Sequence, residues 1–183
     1  MSTDLSGKKI AFIVANEGVE QVELTDPWKA VADAGGTPEL VAPETDDVQA
    51  FNHLDKADTF SVDVTTAEAD VADYAALVLP GGVANPDQLR TDEGAQRLVK
   101  AAADAGTPIA VICHGPWTLI DAGVASGRTL TSWPSLETDL TNAGATWVDE
   151  EVVVDESGAG PLITSRNPDD LPAFTKALVD ALS

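Results

Sequence analysis

The sequence is short of three things that define large classes of protein: cysteines, basic residues and long apolar runs. Its one cysteine, Cys113, cannot form an internal disulfide, and no Cys-x-x-Cys pair or Cys/His cluster indicates a metal site. No run of about 18 apolar residues predicts a membrane-spanning helix, and the polar residues 1–7 do not resemble a signal peptide. We therefore expect a reduced, cytoplasmic protein with no metal, no other cofactor and no membrane partner.

The charge balance is strongly acidic, with 31 Asp and Glu residues against 10 Lys and Arg and a net charge of −21. Such a surface repels phosphate backbones, so nucleic-acid binding is not expected. The acidic residues are spread along the whole chain, which favours a folded protein with an acidic surface over one with a disordered acidic tail. The pattern is typical of halophilic proteins, where salt screens the self-repulsion, and it predicts that removing salt lowers stability.

Apolar periodicity predicts alternating strands and helices along most of the chain. The predicted strands are 9–15, 38–42, 76–79, 108–112, 128–131, 147–148, 152–154 and 162–164, and the predicted helices are 20–34, 69–74, 93–105, 117–123, 135–143 and 168–182. The opening strand–helix–strand order predicts a three-layer α/β fold with a mostly parallel central sheet. Pro27 predicts a start or a kink in the first helix, and the polar segment 44–63 predicts a small β-hairpin excursion. No repeat or linker divides residues 1–183, so we expect a single domain.

The stretch around Cys113 has the strongest chemical signal. The apolar run 108–112 stops at Cys113, and the turn through residues 114–116 leads into the apolar-periodic segment 117–123. This order predicts a buried strand, a sharp turn and a helix, with the cysteine held exposed at the helix N-terminus as in a nucleophile elbow. The helix dipole and the free N–H groups there favour a thiolate.

Two neighbours bear on this elbow hypothesis. Gly115 supplies the small residue that the elbow pattern has two positions after the nucleophile, whereas Val111 is not the small residue expected two positions before it. The alternative interpretation is a buried structural cysteine, which is common in proteins.

Backbone N–H groups near Cys113 are candidate oxyanion donors. The N–H of His114 is one, and the glycines that follow the strand 76–79, Gly81 and Gly82, offer another. The adjacency of His114 permits a hydrogen bond to the thiol but does not require one. The other histidine, His53, lies in the polar excursion and is interpreted as a solvated surface residue.

Three glutamates follow the first strand, at the sheet edge where Cys113 is expected. Glu17 and Glu20 have the character of surface charges, whereas Glu23 lies between Val22 and Leu24 and is expected to be partly buried. A carboxyl group beside a thiolate tends to keep its own proton and to donate a hydrogen bond to sulfur.

Taken together, these motifs resemble the DJ-1/PfpI family of the class I glutamine amidotransferase-like superfamily, and most closely its PfpI-type branch. The matching segments are 112–116 (Ile-Cys-His-Gly-Pro), 119–124, 15–17, 22–24, 77–82 (Leu-Val-Leu-Pro-Gly-Gly), 142–144, 147–149, 152–155, 164–166 and 168–171. The resemblance covers nearly the whole chain and implies a flavodoxin-like sandwich.

The resemblance also implies roles for residues. Cys113 would be the reactive thiol, Glu23 the acid hydrogen-bonded to it, and N–H groups near Gly82 and His114 the oxyanion donors. In PfpI-type members a glutamate from a neighbouring subunit orients the histidine, and its matching position here is Asp87, one methylene shorter. The family implies homo-oligomers, dimers or hexamers.

Three functions are compatible with this resemblance. The first is a PfpI-type intracellular cysteine hydrolase with a peptidase-like site that acts on a peptide or small molecule. The second is a glyoxalase III or deglycase that acts on methylglyoxal or glycated adducts through the same cysteine. The third is a non-enzymatic redox sensor or chaperone of the stress response, in which Cys113 is oxidised to a sulfinate held by Glu23.

Overall fold

The computed structural model describes residues 4–183, so the first three residues of the polar N-terminal segment lie outside the described part. The strands are β1 (Lys9–Ile13), β2 (Glu17–Glu20), β3 (Thr37–Ala42), β4 (Val48–Asn52), β5 (Asp55–Phe60), β6 (Val64–Thr65), β7 (Ala76–Leu79), β8 (Ile109–Ile112), β9 (Thr129–Leu130), β10 (Thr146–Trp147), β11 (Val152–Asp155) and β12 (Leu162–Ser165). The helices are α1 (Gln21–Asp33), α2 (Ala84–Leu89), α3 (Glu93–Ala105), α4 (Pro116–Asp121), α5 (Glu137–Asn142) and α6 (Leu171–Ala181). None of the helices in the described part is long and apolar enough to cross a membrane.

The central sheet confirms the predicted α/β fold. Within residues 4–183 it has seven strands in the order β11-β12-β8-β7-β1-β3-β6, and all neighbours are parallel except the antiparallel pair β11 and β12. Helices cover both faces, which is why the inner strands are apolar throughout. In β1, Ile10 and Phe12 pack in a cluster with α1 and α6, while Ala11 and Ile13 pack in a cluster with α3 and α4.

The predicted excursion at 44–63 contains the hairpin β4–β5. Strand β4 of this hairpin also pairs in parallel with β2, a strand that the sequence did not predict. Helix α1 spans Gln21–Asp33, close to the predicted 20–34, and contains Pro27, so of the two alternatives for the proline a helix start is excluded. The short helix α2, which follows the Pro80–Gly82 loop, was also not predicted.

Candidate active site

The candidate site lies at the carboxyl ends of β1, β7 and β8, the edge where open parallel sheets place their ligands. Cys113 follows β8 directly, Gly81 and Gly82 follow β7, and Glu23 lies in the first turn of α1. The strand order brings these three segments together because β7 lies between β1 and β8.

The backbone at Cys113 makes the sharp turn that the sequence predicts. Its φ of +63° is a left-handed conformation that non-glycine residues rarely adopt. The turn is fixed by the N–H of Cys113, which donates to the Ser165 carbonyl at 3.1 Å, and by the Cys113 carbonyl, which accepts from the Trp133 N–H at 2.8 Å. Gly115 is required for close packing, since a Cβ there would lie 2.7 Å from the Val111 side chain.

The cysteine is not exposed, which corrects the expectation for an elbow nucleophile. Only 5% of Cys113 is accessible to solvent. Burial raises the pKa of the Cys113 thiol, and the negative charge that Glu23 carries when it is ionised raises this pKa further. The N–H groups of Gly82 and His114 lower this pKa, as the elbow hypothesis predicts, but burial outweighs them. Burial therefore favours the neutral thiol, in opposition to the helix dipole and N–H groups that were expected to favour a thiolate.

His114 is held against the thiol. Its Nδ1 lies 3.1 Å from Cys113 Sγ, and its ring stacks on Trp133 at a centroid distance of 5.5 Å and meets the edge of Trp117 at 5.3 Å. Burial lowers the pKa of His114 to about 4, so the imidazole is neutral at pH 7. A neutral imidazole beside a thiol can take up the thiol proton.

Glu23 is a buried carboxyl group in contact with the same loop. It has no solvent exposure, and its Oε2 accepts the N–H of Gly81 at 2.7 Å. Its Oε1 has no conventional hydrogen-bond partner within residues 4–183. Burial raises the pKa of Glu23 to about 8, against the lowering effects of Gly81, Cys113 and Gly82. The group is therefore mainly protonated at neutral pH.

The two glycines in the loop after β7 donate their N–H groups to different partners. The Gly81 N–H is engaged by Glu23, so of the two glycine N–H groups only that of Gly82 acts on the Cys113 thiol. Asn85 braces this loop: its Nδ2 donates to the carbonyls of Pro80 and Gly81 at 3.0 and 2.9 Å, and its Oδ1 accepts the Ala15 N–H at 2.6 Å.

A cavity of about 810 Å³ opens above the thiol. Besides Cys113, His114 and Glu23, its walls include acidic residues, apolar residues and two glycines, namely Glu17, Glu20, Asp87, Phe51, Leu54, Val83, Ala84, Trp117, Trp133, Pro168, Gly18 and Gly82, together with His53. Asp87 is exposed and lines the same cavity as His114. His53 is exposed, as predicted, but it also lines this cavity.

Several residues of the site were missed by sequence reasoning. Trp117 and Trp133 flank His114, and Asn85 braces the glycine loop. The signal for Asn85 was a polar residue two positions after the Gly81–Val83 turn. For the tryptophans no local pattern was available, because Trp133 reaches the site only through the tertiary fold. The described residues contain no group of three His, Cys, Asp or Glu side chains able to hold a metal ion.

Comparisons with known proteins identify relatives of the whole chain. The sequence model of the DJ-1/PfpI family matches residues 8–181. A Staphylococcus haemolyticus protein is 41% identical over 177 residues, and the Bacillus subtilis protein named "Putative cysteine protease YraA" is 37% identical over 175; each match covers 96% of this chain and 98% of the relative.

Solved structures agree with the sequence matches. A two-domain Anabaena variabilis protein with DJ-1/ThiJ/PfpI-like and ferritin-like domains superposes with a TM-score of 0.88 at 33% identity, over 96% of this chain and 48% of that one. The chain thus spans about half of that protein. Schizosaccharomyces pombe DJ-1 has the same fold, with a TM-score of 0.82 at 23% identity over 96% of this chain and 92% of its own.

Proposed function

The chain belongs to the DJ-1/PfpI family, and from that membership and the geometry around Cys113 we propose that it is a cysteine-dependent hydrolase with a peptidase-like site. The observation that carries the proposal is the left-handed Cys113, with Sγ 3.1 Å from His114 Nδ1 at the floor of a cavity. A nucleophile within hydrogen-bond reach of a base is the arrangement that nucleophilic catalysis uses, and strained backbone is frequent at active sites.

The proposed reaction uses the thiol and the neutral imidazole as a pair. His114 Nδ1 takes the thiol proton as Sγ attacks the substrate carbonyl, so charge separates only when the substrate is bound. The N–H groups of Gly82 and His114, which already act on the sulfur, stabilise the oxyanion that forms beside it. Protonated Glu23 has a free Oε1 with which to donate a hydrogen bond to the sulfur.

The surroundings of the site support a peptide or small uncharged substrate. The walls combine apolar side chains with Glu17, Glu20 and Asp87, and no lysine or arginine of the described residues lines the cavity. An anionic substrate would therefore be repelled. The name of the Bacillus subtilis relative supports the peptidase-like assignment over the other activities.

We further propose that the protein acts as a homo-oligomer. Within residues 4–183 no side chain bonds to Nε2 of His114, and the Asp87 carboxylate, which lines the same cavity, is equally unengaged. Exposed apolar side chains at the cavity, Leu54, Val83 and Trp133, provide a surface for a second copy. In such an assembly Asp87 of one copy would orient His114 of the other.

The second candidate is an enzyme that acts on methylglyoxal or glycated adducts. The observation that favours it is the buried, neutral His114, whose imidazolium form is disfavoured. An aldehyde has no leaving group to protonate, so the same thiol addition proceeds without a strong acid.

A paired assay separates these functions. Purified protein is given a fluorogenic peptide or methylglyoxal, with Cys113→Ala as the matched control. The proposal expects peptide turnover that the substitution abolishes; turnover of methylglyoxal alone would favour the second candidate. Turnover of neither, together with a mass increase of two oxygens on Cys113, would instead indicate a redox sensor.

A further inference from the structure

The hairpin turn between β4 and β5 holds a histidine in a conformation that suits glycine. Its two loop residues are His53 and Leu54, and His53 has a φ of +59°. Two-residue hairpin loops with a positive φ at the first position strongly prefer glycine there, because a Cβ raises the energy of the left-handed backbone. Histidine is one of the residues that tolerate this conformation better than most, and a strained position beside a cavity motivates a functional hypothesis.

A carboxylate fixes this strained turn to the candidate site. The N–H of His53 donates to both oxygens of Glu20, at 3.0 and 3.3 Å. Glu20 ends β2 and directly precedes α1, the helix whose first turn carries Glu23. The position of His53 is therefore tied to the segment that presents the buried carboxyl to Cys113.

The imidazole of His53 is available for contact with a substrate. It forms no hydrogen bond, ion pair or ring contact with any residue between 4 and 183. It is exposed and lines the same cavity as Cys113 and His114. Imidazole is also the side chain best suited to donate and accept protons near neutral pH.

Amide cleavage needs a proton donor for the departing amine. The Nδ1 of His114 lies against the sulfur, and its ring contacts Trp117 and Trp133, so a second imidazole in the cavity would serve the amine side of the scissile bond. The amine must receive a proton as the C–N bond breaks.

We propose that His53 is the acid that protonates the leaving amine, an inference that rests on the proposed hydrolase function. Cys113 Sγ forms a bond to the carbonyl carbon and passes its proton to His114. The C–N bond then breaks, and the amine leaves with the proton of the His53 imidazolium. The exposed His53 then regains a proton from solvent. Water attacks the thioester and gives one proton to solvent, while the released thiolate recovers its proton from His114.

The test compares two substrates that share an acyl group but differ in leaving group. A peptidyl aminomethylcoumarin amide needs a proton on its amine, whereas the corresponding 4-nitrophenyl ester releases a stable anion. His53→Asn keeps a residue that tolerates positive φ, and His53→Gly removes the strain. The matched control is Asp55→Asn, which alters the exposed start of β5 outside the cavity wall.

Both His53 variants should lose amide hydrolysis by about 100-fold while ester hydrolysis and alkylation of Cys113 by iodoacetamide stay within about 2-fold of wild type. His53→Gly should retain or raise the melting temperature, and Asp55→Asn should match wild type. Equal loss on both substrates, or no loss on the amide, would overturn the role of His53 alone. A wild-type protein that hydrolyses neither substrate would refute the hydrolase function, and this inference with it.

Discussion

Replacing Glu23 by glutamine tests whether the carboxyl group beside Cys113 is neutral when the protein is folded. Burial raises its pKa from the ordinary 4.5 to about 8. Between these pH values the unfolded chain has released the proton and the folded chain has kept it. Because the folded state then binds more protons, the free energy of unfolding must fall as pH rises through this window.

The size of the effect follows from the two pKa values. At about 1.4 kcal/mol per pKa unit, the full loss approaches about 5 kcal/mol above pH 8, and about 3 kcal/mol of it is reached by pH 7. Glutamine cannot ionise, and its side-chain oxygen can still accept the N–H of Gly81. Glu23→Gln should therefore gain stability relative to wild type by these amounts as pH rises from 4.5 to 8.

The assay is urea unfolding of wild type and Glu23→Gln at constant ionic strength across pH 4.5–9. His114 acts in the opposite direction: its pKa is lowered to about 4 by burial, so its contribution to stability is lost as pH falls below 6.5. This contribution is common to both proteins and cancels in their difference. Glu150→Gln, an exposed glutamate without a side-chain partner among residues 4–183, is the control and should parallel wild type. Parallel profiles for Glu23→Gln and wild type would refute the neutral, buried carboxyl.

Three further predictions concern the environment of the site and of the whole chain. Trp133→Ala should raise the pKa of His114 from about 4 towards 6.5, as followed by NMR of the imidazole, and an unchanged titration would contradict burial as the cause. Gly81→Ala places a methyl group 2.5 Å from the Cys113 Cβ and should lower the melting temperature well below that of Gly123→Ala, which carries only the backbone strain of a φ of +74° and whose methyl meets nothing within 4 Å; equal losses would count against this packing. Because the protein has a net charge of −21, which salt screens, its melting temperature should rise from millimolar to molar KCl. A flat salt dependence would contradict a stability limited by self-repulsion.

Local sequence patterns were sufficient to predict the strands and helices that are defined by their own hydrophobic periodicity. The apolar strands β7 and β8 and helix α3 lie where periodicity predicts them, since burial on both faces of a sheet, or on one face of a helix, leaves a direct record in the sequence. The turn at Cys113 was predictable for the same reason, because a buried run stops there and Gly115 permits close packing behind it.

The remaining features depend on residues that are distant in sequence. The exposure of Cys113 was predicted wrongly because its burial comes from the Gly81 loop and from side chains elsewhere in the chain. Strand β2 could not be predicted, since its four residues are stabilised as a strand by pairing with β4. The stacking of Trp133 on His114 likewise joins residues from separate loops, and no local pattern encodes it.

The most direct test of the central claim, that Cys113 attacks a substrate carbonyl, is to trap the acyl-enzyme. Wild type and Cys113→Ala are mixed with a peptidyl 4-nitrophenyl ester, quenched in acid within the first turnover, digested and analysed by mass spectrometry. The account predicts an added acyl mass on the peptide that contains Cys113 in wild type, with neither acyl adduct nor turnover in Cys113→Ala. Turnover by Cys113→Ala, or an acyl group on a different residue, would contradict it.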